Sequence, residues 1–173
     1  MSKPRLQRRI TAALLGALLC LSAPLSIHIG GIPLSLATLG VYLCALLAGG
    51  FWGSAAVTVY LCLGALGVPV FAGFVGGIQV FAGPTGGFLL GYIPCTLLAG
   101  FLCARFPHRP LLQGAFLFVG TMMLYVCGAV WLSVSTDIPF FTAFLTGCIP
   151  FLPFDVIKII AALILARKVL HKL

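Results

Sequence analysis

Two opposite charges, Asp155 and Lys158, interrupt an apolar run near the carboxyl end, Pro150-Phe151-Leu152-Pro153-Phe154-Asp155-Val156-Ile157-Lys158. At i,i+3 spacing they share one face of a helix. A charged side chain near the middle of a bilayer costs at least about 2.5 kcal/mol, so such groups face a partner, a cavity or a ligand. A carboxylate that accepts and an ammonium that donates would together hold a polar molecule with donors for Asp155 and an acceptor or negative group for Lys158. The competing reading is a self-contained ion pair that locks the helix, although buried pairs are seldom net stabilising. Asp155 lies 12 residues before Arg167, roughly 18 Å at the helical rise, which places it past the membrane midplane toward the outside. Pro150 and Pro153 remove helical hydrogen bonds just ahead of it. That predicts a helix restarting near Phe154, with free amides pointing toward Asp155.

The elements that carry this pair follow from composition. The chain has 173 residues, 62% of them hydrophobic and 7% charged, with a mean hydropathy of +1.24. No water-soluble domain hides that much apolar surface. One helical crossing takes roughly 20 apolar residues, and apolar runs occur at 10–27, 33–50, 54–67, 85–104, 111–133 and 140–167. The expected fold is an all-α membrane protein of six transmembrane helices forming a single domain over 1–173, with short basic tails at about 1–9 and 168–173.

Charge placement tests that count. Ten Lys and Arg stand against Asp137 and Asp155, for a net charge of +8. Apart from Lys158, the cations fall in three clusters: Lys3, Arg5, Arg8 and Arg9; Arg105 and Arg109; Arg167, Lys168 and Lys172. With six spans all three are cytoplasmic, as are both termini, and the first, third and fifth connections carry no Lys or Arg. Such clusters are topology signals rather than a nucleic-acid surface.

The third connection, 64–87, is rich in glycine and carries Val70, Phe71, Phe74, Ile78, Val80 and Phe81 between Pro69 and Pro84. Backbone of this kind at membrane depth must pack on protein or line a cavity. The expectation is a folded loop capping the bundle from outside; plain close packing by small residues is the alternative. On the first helix, Ala12 and Gly16, with Ala13 and Ala17 beside them, form two small-xxx-small pairs. These suit either a partner helix or a neighbouring span.

Other chemistry is not encoded. The seven cysteines are single and scattered without C-x-x-C spacing, so neither disulfides nor a metal site is expected. Gly83-Pro84-Thr85-Gly86-Gly87 lacks the spacing and lysine of a phosphate-binding loop. No hydrolase motif or catalytic residue stands out. His28, His108 and His171 fall in expected loops or the tail.

Four segments in order resemble the biotin-specific S component of energy-coupling-factor (ECF) vitamin transporters. They are Ile32-Pro33-Leu34-Ser35-Leu36-Ala37-Thr38, Leu66-Gly67-Val68-Pro69-Val70-Phe71-Ala72-Gly73, Gly83-Pro84-Thr85-Gly86-Gly87-Phe88-Leu89 and the Pro150–Lys158 run. The likeness covers nearly the whole chain; Ala37 and Phe154 depart from the Gln and Gly common in that family. It implies a multi-pass protein of a prokaryotic cell membrane that captures biotin from outside. It also implies a coupling transmembrane subunit and two ATPase subunits as partners, with the chain itself no enzyme and carrying no cofactor. Asp155 and Lys158 would help bind the vitamin, the third loop would cover it, and Ala13 and Ala17, with Ala12 and Gly16 adjacent, would meet the coupling subunit.

Thr38, Phe71, Gly73, Phe74, Thr85, Gly86, Gly87, Phe88 and Tyr92 complete the expected ligand site. Biotin offers two ureido N–H donors, an apolar thioether ring and a carboxylate; which polar end meets which residue is open at this stage. The alternatives are an S component for another vitamin, a solitary biotin facilitator, an intramembrane enzyme and a purely structural membrane protein.

Overall fold

A computed structural model describes residues 3–29 and 32–170. Helix α1 (Lys3–Ser22) leads to a two-stranded antiparallel hairpin, β1 (Ser26–Ile29) and β2 (Ile32–Ser35), that pairs Ser26 with Ser35. Then follow α2 (Ala37–Leu43), α3 (Gly49–Ala65), the short α4 (Gln79–Ala82), α5 (Gly86–Arg105), α6 (Pro110–Thr136), α7 (Phe140–Gly147) and α8 (Leu152–Leu170). Among the described residues four helical stretches are long and apolar enough to cross a membrane: Ala37–Ala65, Gly86–Arg105, Pro110–Thr136 and Phe140–Val169.

The expected spans shift where local chemistry overrides apolarity. The second was expected from residue 33, but 32–35 are strand, so one short hairpin precedes α2 in the otherwise all-helical fold. Pro33 is unsuited to a helix interior, and the Ser35 Oγ accepts the Ala37 N–H at 3.2 Å, which closes a side-chain turn just ahead of the helix. From Leu43 the helix widens into a π turn, Cys44–Ala48, and breaks at Gly49, whose φ of +81° suits glycine. Gly49 alone thus replaces the connection expected at 51–53. The basic segment at 3–9 is no separate tail but the first turns of α1. Lys172 and His171, near the carboxyl end, lie outside the described residues.

Helix α6 opens on Pro110, where the missing N–H would be unpaired anyway, and closes on Asp137 in the left-handed conformation. The last apolar run is not one helix. It comprises α7, a 3-10 turn at Ile149–Phe151 holding Pro150, and α8, which starts two residues ahead of Phe154 and carries Pro153 in its first turn.

Small residues let the helices approach closely. A Cβ on Gly91 would lie 2.9 Å from Leu124, and one on Gly120 would lie 3.2 Å from the Cys95 carbonyl, so α5 and α6 run antiparallel in near-backbone contact. Gly50 and Gly100 mark a similar approach of α3 to α5. Along α8, Asp155 meets Tyr125 while Leu163 meets Gly114, so α8 is antiparallel to α6 as well. Arg9 sits 4.8 Å over the Trp52 ring, which places the start of α1 beside that of α3. One end of the bundle therefore gathers Arg9, Arg105, Arg109, Arg167 and Lys168. The other gathers the glycine-rich loop and Asp137.

Candidate functional site

Asp155 is 3% exposed. Its Oδ1 accepts the Thr38 hydroxyl at 2.8 Å and the Lys158 ammonium at 3.1 Å, and its Oδ2 accepts the Tyr125 hydroxyl at 2.7 Å. Lys158 Nζ also donates to the Ser35 carbonyl and to Thr38 Oγ1, each at 2.8 Å. The ammonium's three protons thus have three acceptors. Thr38 gives its one proton to the carboxylate and takes one from the ammonium, so it bridges both members of the pair. Three elements meet here because each ends or bends where it does: β2 stops at Ser35, α2 starts at Ala37, and α8 restarts just before Asp155.

The pair forms part of the wall of a small cavity, about 100 Å³ in volume, that opens to the surface. Ser35, Ala37 and Thr38 line one side, Tyr60 of α3 and Phe88, Leu89 and Tyr92 of α5 another. Leu124 and Tyr125 of α6, with Gly147, Phe151, Asp155 and Lys158, close the third. Phe71, Ala72, Val80 and Thr85 come over the top from the loop region. The wall is aromatic and aliphatic around one polar corner.

The loop is held as a cover. Phe71, 2% exposed, drops against Gly64 and meets Tyr60 and Phe81 edge-on at ring distances of 5.5 and 5.6 Å. The Gly77 N–H donates to the Gly64 carbonyl at 2.7 Å, and the Gly73 N–H to the Pro24 carbonyl at 3.0 Å. Trp131 Nε1–H of α6 donates to the Gly83 carbonyl at 3.0 Å. Backbone groups that lipid would leave unpaired are thereby satisfied within the protein.

The structure brings Thr38, Phe71, Thr85, Phe88, Tyr92, Asp155 and Lys158 around one cavity. Four other expected site residues are not on its wall. Gly73 and Phe74 form the outer turn of the loop, both with positive φ, and Phe74 is 65% exposed. Gly86 and Gly87 are spacers: a Cβ would strike the Phe81 carbonyl in the first case and Trp131 in the second. Of the helix-one residues, Ala12 and Gly16 turn inward, Gly16 against Ala56, while Ala13 and Ala17 are exposed on the rim of a shallow groove between α1 and α3.

The BioY family model matches residues 1–173. The chain belongs to the BioY family. The probable biotin transporter BioY of Pyrococcus horikoshii is 36% identical over 156 residues, covering 90% of this chain and 91% of that one. The biotin transporter BioY of Thermotoga maritima is 34% identical over 166 residues, covering 94% and 95%. Biotin transporter BioY2 of Lactococcus lactis subsp. cremoris is 32% identical over 173 residues, covering 100% and 95%. The crystal structure of the S-component for biotin from an ECF-type ABC transporter matches with a TM-score of 0.90 at 27% identity, over 100% of this chain and 95% of that one.

Sequence reading of this BioY chain missed Tyr125, Tyr60 and Ser35 at the cavity. A signal for two of them was present. The chain has four tyrosines, Tyr42, Tyr60, Tyr92 and Tyr125, against fourteen phenylalanines, and each tyrosine falls inside an apolar run. A phenol inside hydrocarbon needs a partner, which marks those positions as polar corners. Tyr42 meets the Thr121 hydroxyl at 2.7 Å, and the other three line the cavity.

Proposed function

We propose that this BioY protein is the biotin-capturing S component of an ECF transporter, delivering the vitamin to a coupling transmembrane subunit served by two ATPase subunits. The observation that carries the reading is the Asp155–Lys158 pair on the wall of an otherwise apolar, aromatic cavity. A ureido ring needs an anionic acceptor and polar neighbours at one point, while a thioether ring and aliphatic tail need apolar wall elsewhere. Phe88, Tyr92 and Phe71 supply that wall. The chain does not act as an enzyme, and ATP hydrolysis falls to the partner subunits.

Six crossings are supported by the helical segments counted with the break at Gly49, and by the charge at the two ends of the bundle. The end bearing Arg9, Arg105, Arg109, Arg167 and Lys168 faces the cytoplasm by the positive-inside rule. The loop and the cavity mouth then face outward in a prokaryotic cell membrane, with both termini inside. The exposed Ala13 and Ala17 offer the coupling subunit a close approach.

The test is equilibrium binding of labelled biotin to the purified full chain, with other vitamins as competitors. Saturable binding displaced by biotin alone supports the reading. Displacement by another vitamin, or no binding at all, overturns it. Co-purification with a coupling subunit separates an S component from a solitary facilitator.

A further inference from the structure

Resting on that reading, we infer that Tyr125 is a positioning residue for ligand binding: its hydroxyl sets the plane of the Asp155 carboxylate and so acts on the ligand through Asp155. The need for such a residue lies in the aspartate itself. Its last torsion is broad, without a sharply preferred setting, so the backbone of α8 does not decide which way the two oxygens face. Thr38 at 2.8 Å and Lys158 at 3.1 Å both hold Oδ1. A carboxylate held from that side alone turns to share its two oxygens between those two donors. Tyr125 opposes the turn, because its hydroxyl donates to Oδ2 at 2.7 Å from α6.

Tyr125 is itself held firmly enough to do this. It is 2% exposed, and the Cys148 thiol donates to its carbonyl at 3.6 Å. One turn along each helix, Tyr42 of α2 and Thr121 of α6 join their hydroxyls at 2.7 Å. Thr121 passes its own proton to the Leu117 carbonyl at 2.9 Å, so Tyr42 is the donor between them. This lower rung fixes α2 against α6 just below the upper one, where Thr38 and Tyr125 reach the carboxylate from opposite sides. The bond to Oδ2 is charge-assisted and short, the kind that adds geometric control as well as energy.

The experiment is a double-mutant cycle on the purified full-length protein: parent, Tyr125→Phe, Asp155→Asn and both together, each titrated with labelled biotin and unfolded thermally. Phenylalanine keeps the ring in the cavity wall and removes only the oxygen. The expected result is binding weaker by roughly 5- to 30-fold in Tyr125→Phe, with the double variant within about 2-fold of Asp155→Asn alone. Tyr125→Phe within about 2-fold of the parent overturns the inference even if its unfolding temperature falls, since the bond then serves folding only. An undiminished penalty in the double variant overturns it too, since Tyr125 then acts on the ligand directly. Infrared spectra of protein labelled with ¹³C-aspartate give a readout that needs no ligand, because Asp137 and Asp155 are the only acidic side chains. The carboxylate band that Asp155→Asn removes should shift in Tyr125→Phe, and an unmoved band overturns the inference. With parent binding intact, each of these failures spares the transport reading; a parent chain that binds no biotin overturns both.

Discussion

Replacing Asp155 with Asn separates a ligand-binding pair from one that merely locks the helix. Three donors converge on the carboxylate, from Thr38, Lys158 and Tyr125. A carboxamide is nearly the same size but has one acceptor oxygen and two N–H donors. One of the hydroxyls then faces an N–H group, and Lys158 keeps a charge with no counterion. Breaking a buried pair from one side costs about 3–5 kcal/mol of stability. A lost hydrogen bond to a charged acceptor costs about 1.5–3 kcal/mol, so biotin affinity should fall roughly 10- to 150-fold. Equilibrium binding of labelled biotin in detergent, beside thermal unfolding of the same preparations, measures both quantities. The double variant Asp155→Leu/Lys158→Met completes the test. Removing both charges together restores most of the stability, since an apolar replacement of a buried pair is often neutral, but does not restore binding. Parent-like affinity in Asp155→Asn, or in the double variant, would refute the assignment of the pair to the ligand.

Four other perturbations probe the cover and the first helix. Gly64→Ala pushes a methyl group into the space of the Phe71 ring; overpacking of this kind costs about 1–3 kcal/mol, seen as a lower unfolding temperature and faster biotin release, and unchanged values would mean the ring is not seated there. Trp131→Phe removes the bond to the Gly83 carbonyl, worth about 0.5–1.5 kcal/mol, so dissociation should quicken about 2- to 12-fold; an unaltered off-rate would show that this contact does not hold the loop over the ligand. Ala13→Leu with Ala17→Leu, both on the exposed face of α1, should leave biotin binding intact and abolish association with the coupling subunit in pull-down. Gly16→Leu should instead lower thermal stability, because Ala56 already lies 3.6 Å from the position of its Cβ.

The membrane class, the charged pair and the family were legible in the sequence because each rests on local information. Composition alone sets the solvent. Proximity in sequence puts Asp155 and Lys158 on one helical face, and the Lys and Arg clusters fall where the apolar runs end. Helix limits were read less well at Pro33 and Gly49, where a single residue's backbone preference outweighed a continuous run of apolar side chains, whereas the break around Pro150 and Pro153 was expected and falls within two residues of its expected place.

What the tertiary structure alone decided is which residues surround the pair. Tyr125 is 30 positions from Asp155 and Thr38 is 117, and no periodicity within one segment links them. The glycines show the same limit. Composition marked 64–87 as unusual, yet only packing distinguishes Gly64, which receives the Phe71 ring, from Gly86 and Gly87, which let neighbouring segments touch. The sequence states that polar groups are present within an apolar solvent. Which of them satisfy one another depends on contacts between segments distant along the chain.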